Sequence, residues 1–106
     1  MGSFTLKLKN APSGARYWYA AYSQYWVYSG WLDIGDPWNC PYGACGAADL
    51  MVWVVDSDYN ALHLKENLGP IYDDKSYVYD CSSETLYQET LPPEFRSMSV
   101  TEFVKR

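Results

Sequence analysis

The chain has 106 residues, of which 48% are hydrophobic, 18% aromatic and 20% charged, with a formal net charge of −5. Surface scaling gives roughly 6,000 Å² folded against about 17,700 Å² unfolded, enough for one core in a single domain. No run nears the roughly 18 apolar residues that would cross a bilayer as a helix, no heptad pattern persists, and the hydrophobic content is too high for disorder.

The punctuation along the chain is that of a β protein. Phe4 to Lys9 alternates apolar and polar with period two, which puts Phe4, Leu6 and Leu8 on one buried face. Asn10 to Gly14 reads as a turn, because proline fixes φ and glycine accepts positive φ. Arg16 to Tyr22 reads as a strand with Tyr17 and Tyr19 on one face and Trp18, Ala20 and Tyr22 on the other, and a further strand is predicted over Tyr25 to Leu32. Gly30 to Gly46 is loop-rich. Leu50 to Asp56 is a continuous apolar run with β-branched residues, the signal of a fully buried strand.

A polar turn follows at Ser57 to Asn60, then a weak strand at Ala61 to Lys65. Leu68 to Tyr72 is extended or an edge strand, because Pro70 cannot donate to a ladder. Asp73 to Ser76 is a turn, Tyr77 to Cys81 a strand, and Thr85 to Thr90 the last one. These elements predict an all-β fold: a single antiparallel β-sandwich of about seven or eight strands, immunoglobulin-like in architecture. The domain is expected over residues 1–91. After Pro92-Pro93, residues 92–106 form a C-terminal tail or a short docking helix.

Tyr79-Asp80-Cys81 resembles the Tyr-x-Cys of an immunoglobulin tyrosine corner, a feature general to sandwiches. Trp53 follows Cys40 at a spacing close to the immunoglobulin cysteine-tryptophan pair. Cys40, however, lies beside Pro41 and Gly43 with too few strands before it, so no family is assigned.

Thirteen acids against eight Lys and Arg leave no basic stripe, so nucleic acid and anionic lipid are not expected as partners. Cys40 and Cys45 bracket four residues and are able to close a small disulfide loop, with Cys81 left over. Met1-Gly2-Ser3 runs directly into strand-like residues, with no secretory leader pattern.

Candidate chemistry is sparse. His63 is the only histidine, is read on the outer face of a weak strand, and no nucleophile elbow accompanies it. Cys40, Cys45, Cys81 and His63 are the available zinc ligands, at spacings unlike those of zinc fingers. Asp56, Asp58 and Asn60 place oxygens at alternate positions, as a calcium loop begins. Ala61 then stands where glycine is needed, and a hairpin turn held by Asp and Asn side chains is the preferred reading. Close carboxylate pairs arise by chance among thirteen acids. No cofactor, resident metal or catalytic centre is expected.

The aromatic residues carry the functional signal. Ten of the 16 Tyr and Trp residues lie between Tyr17 and Tyr42. Alternation on a sandwich exposes part of such a cluster, and Tyr and Trp suit both protein interfaces and sugar stacking. The expected binding surface comprises Tyr17, Tyr19, Tyr25, Trp26, Tyr28, Trp31 and Trp38. The expected role is a non-catalytic interaction module for a protein partner or homo-oligomer, in a cell-surface or virion-type structure. Carbohydrate stacking on Trp26, Trp31 or Trp38 is the alternative.

Overall fold

A computed structural model describes residues 2–43 and 45–89 of the chain. The expected domain limit at residue 91 and the tail over residues 92–106 lie outside the described residues. Within them the fold is all-β, with nine strands: β1 Phe4–Lys9, β2 Tyr17–Tyr22, β3 Val27–Tyr28, β4 Leu32–Asp33, β5 Trp38–Cys40, β6 Leu50–Val55, β7 Ala61–Leu68, β8 Lys75–Asp80 and β9 Thr85–Gln88. One sheet runs β5-β1-β8-β9; the other runs β3-β2-β6-β7, with β4 also paired to β2. All pairings are antiparallel except β1 with β8, which is parallel and keeps register from Phe4 opposite Lys75 to Lys9 opposite Asp80.

The two sheets share one core because each turns its apolar alternate residues inward. Phe4 and Leu6 of β1, with Tyr77 and Tyr79 of β8, meet Trp18, Ala20 and Tyr22 of β2 and Leu50, Val52 and Val54 of β6. Leu8 is partly buried against the same cluster. Two buried polar groups find backbone partners: the Trp18 indole N–H donates to the Asp36 carbonyl at 3.1 Å, and the Tyr77 hydroxyl accepts the Tyr72 N–H at 2.8 Å.

The structure corrects several sequence expectations. The strand over Tyr25 to Leu32 is two short pieces, β3 and β4, with a turn at Ser23 to Trp26 before them. The break has a local cause. The Ala20 N–H donates to Ser29 Oγ at 2.7 Å, so a side chain takes the ladder bond, and Gly30 follows at φ 72°. Trp38–Cys40 is a strand inside the stretch read as loop, because Phe4 to Leu6 offers it an edge. β7 extends to Leu68, three residues past its expected end.

His63 faces inward, opposite buried Val54, and not outward. Its Nε2 and the Tyr79 hydroxyl share a hydrogen bond of 2.6 Å that bridges the two sheets. Leu68 to Tyr72 forms no strand beyond Leu68 and makes only an isolated bridge between Tyr72 and Cys45. Here Gly69 is required by contact: a Cβ at this position would lie 2.6 Å from the Ala48 Cα and 2.7 Å from the Ala47 carbonyl oxygen.

Two stability outcomes follow. His63→Ala strands the buried Tyr79 hydroxyl and should lower unfolding stability by about 1–3 kcal/mol in urea melts. Burial pushes the Tyr22 and Tyr79 phenols up to about 12. The folded state therefore keeps protons that the unfolded chain releases near pH 10. Stability should be full below about pH 10 and fall as pH rises toward 12, with a shallower fall in Tyr22→Phe.

Candidate binding face

β2 and β6 set the chemistry of the outer face of the five-stranded sheet. Their inner positions fill the core, so alternation turns Tyr17 and Tyr19 of β2, and Met51 and Trp53 of β6, outward. Register places Tyr19 directly opposite Trp53, and Trp53 opposite Leu64 of β7. Tyr28 of β3, Trp31 before β4 and Tyr59 from the β6–β7 turn lean onto this row.

The rings form a continuous ladder. Tyr17 stacks on Tyr59 at 5.2 Å and 8°, and Tyr59 meets Trp31 edge-on at 5.2 Å. Trp31 contacts Trp53 at 5.6 Å and Tyr19 at 5.3 Å, and Tyr19 reaches Tyr28 at 6.2 Å. One end is anchored by Arg16, whose guanidinium lies 4.7 Å from the Tyr17 ring centre and bonds Asp33 at 2.8 Å. Trp31, Trp53, Tyr28 and Tyr59 remain exposed although each has ring neighbours. Such pairs hold the rings in fixed orientations, each worth about 0.5–1.5 kcal/mol beyond area burial.

The seven expected surface residues divide into four groups. Tyr17, Tyr19, Tyr28 and Trp31 belong to the ladder. Tyr25 turns away and stacks on Tyr42 at 6.3 Å, touching Tyr22 at 5.7 Å. Trp26 stands apart, 73% exposed, with no ring partner among the described residues. Trp38 is not on the surface at all: it is 6% exposed and meets Phe4 edge-on at 5.6 Å, because β5 turns it into the core.

Sequence reasoning missed Trp53 and Tyr59. Trp53 was hidden in a run read as buried on both faces, although its alternate position already marked it as outward. Tyr59 lies in a polar turn, where periodicity has nothing to say.

Beyond the ladder, toward the β2–β3 turn, the same face opens into a cavity of about 340 Å³. Trp26 and Tyr28 line it together with Met51, Asp49, Glu66 and Asn67. A β-bulge shapes this end of the sheet. Leu50 pairs with Leu68 and Val52 with Lys65, so Met51 alone stands opposite both Glu66 and Asn67.

The cysteines are free thiols, with Cys40 and Cys81 buried and Cys45 exposed. Burial pushes the Cys81 thiol up to about 11, and the Cys45 sulfur accepts the Gln24 amide at 2.7 Å. Among the described residues no three His, Cys, Asp or Glu side chains stand together as a metal set. The structure gives the Asp56 carboxylate to its own turn. One oxygen accepts the Asp58 and Asn60 N–H groups, each at 2.9 Å, and the other accepts the Asn60 amide at 3.2 Å. The Asn60 N–H bond leads in holding this carboxyl below its usual pKa.

Comparison with known protein families, with curated proteins and with solved structures finds no match for this chain. The face itself is therefore the basis for a functional reading.

The Asp56 carboxylate is committed to its own turn, and no second acid stands beside it in a metal set among the described residues. Melting temperature should be unchanged by added calcium or by a chelator. Asp56→Ala removes the side-chain acceptor of the turn and should lower the melting temperature, read in thermal melts beside Asp58→Ala as the control.

Proposed function

We propose that the protein is a non-catalytic interaction module that offers the outer face of its five-stranded sheet to a protein partner, a second copy of the chain included. The observation that supports this is the ring ladder from Tyr17 through Tyr59, Trp31, Trp53 and Tyr19 to Tyr28. Large, rigid, amphipathic side chains held by their neighbours lose little freedom on binding and make the strongest interface anchors. Leu62 and Leu64 of the adjoining strand extend the apolar surface, and contiguous apolar area of this kind marks contact sites.

An immunoglobulin-like architecture is part of the same proposal, supported by two sheets over one core. So is a place in a surface or virion-type assembly, where repeated copies meet through exposed sheet faces.

Carbohydrate stacking is the second reading, favoured by Trp26, whose ring is largely uncovered. Sugar rings pack on such faces while nearby polar groups bond their hydroxyls.

Light scattering at rising concentration should show reversible assembly of the chain. Trp31→Ala and Trp53→Ala should each weaken it by about tenfold or more, the scale of anchor residues. A strict monomer at every concentration removes self-assembly. Tryptophan fluorescence unchanged across a polysaccharide panel removes the second reading.

A further inference from the structure

We infer that the cavity beside Trp26 seats a cation, namely the ammonium group of a lysine side chain on the protein partner. The inference rests on the reading of this face as the docking surface and names what its open end recognises.

Size is the first constraint. About 340 Å³ lies at the small end of ligand sites, which suits one inserted side chain better than a polymer. The second is Trp26 itself. Its backbone is left-handed, at φ 53°, in the turn that joins β2 to β3. A bulky residue is strained there, and glycine or asparagine would hold the same turn without penalty. The strain is borne by a residue whose ring then points no contact at any other ring among the described residues. Tyr59 and Glu84 share this left-handed backbone, so what sets Trp26 apart is a largely exposed ring on the cavity wall.

The opposite wall is polar, and the bulge creates it. Ordinary alternation would turn Glu66 outward and Asn67 inward. With Met51 alone facing both, and Asn67 left-handed at φ 58°, both side chains are exposed and line the cavity. Asp49 joins them from the start of β6.

Charge then selects the occupant. Outside the cavity, Asp33, Asp56, Asp80, Glu84 and Glu89 have hydrogen-bond or ion-pair partners, while the isolated Asp36, Asp58 and Asp74 carboxylates lack them among the described residues. The Asp49 and Glu66 carboxylates have none among the described residues, and no Lys or Arg lines the cavity. Ionised carboxylates only accept hydrogen bonds, and the faces of Trp and Tyr carry negative potential. The two carboxylates and the ring faces are complementary to a cation. An anion is repelled. A neutral sugar also finds donors here, in the Asn67 amide, the Trp26 indole N–H and the Tyr28 hydroxyl, but it leaves the negative charge of Asp49 and Glu66 uncompensated. Met51 supplies an apolar floor for the lysine stem, so the methylenes and the charged head each find their match.

The test is a two-dimensional NMR titration of the intact chain with Nα-acetyl-lysine N-methylamide. Its norleucine analogue, choline and glucose serve as the other arms. The lysine amide should shift the Trp26, Glu66 and Asn67 signals in a saturable way that weakens with added salt, and the norleucine analogue should not. Trp26→Ala and Glu66→Gln should each weaken binding about fivefold or more. Trp31→Ala lies outside the cavity and should leave this binding intact while impairing assembly, so the two readings fail separately. No shift with the lysine amide overturns the inference. Equal response to norleucine does so too, as does saturation by glucose alone. Choline binding without lysine binding overturns the protein source.

Discussion

One ring, Phe4, sits at the junction of the two sheets. Phe4 meets Tyr22 of the opposite sheet at 5.5 Å, and Trp38 and Tyr77 of its own at 5.6 and 6.2 Å, each contact nearly edge-on. Because Phe4 belongs to β1, its position also depends on the parallel pairing of β1 with β8. Tyr22, clamped in this cluster, fixes the inward face of β2. With that face fixed, alternation leaves Tyr17 and Tyr19 nowhere to go but outward. The exposed ladder is thus a consequence of how the core is filled, as well as a surface in its own right.

The same fact explains why aromatic composition alone overstates the surface. Trp18, Tyr22, Trp38, Tyr77 and Tyr79 are core residues, buried to within a few per cent. The remaining Tyr and Trp residues are exposed or half-buried, and most of those on the face contact one another. Ring-to-ring packing lets a small sheet carry many aromatics in water without collapse, since each edge or face covers part of its neighbour.

Period-two alternation made β1 legible, and β6 was legible as a continuous apolar run rich in β-branched residues. Alternation failed where a side chain replaced the ladder. Ser29 took the Ala20 N–H and ended β3, and no hydropathy pattern encodes that exchange. Trp38 was misplaced because its neighbours Pro37 and Pro41 read as loop, while its burial comes from a strand far away in sequence. His63 was misplaced for a related reason: register against β6, broken by a second bulge between Val54 and Val55, decides which way it points. Of the candidate face, the β2 tyrosines and Trp31 were visible in the sequence. The cavity was not, since Glu66 and Asn67 share a side only through the bulge.

The bulges have a further consequence for how copies of this chain are able to meet. β7 is an edge strand of eight residues, long enough to template pairing with a neighbour. Two register breaks and the left-handed Asn67 bend its free border, and Lys65 is drawn across to Glu84. A border so twisted resists the strand-by-strand addition that builds cross-β fibrils. Contacts between molecules are thereby diverted from backbone to side chains, and from endless stacking to assemblies of finite size.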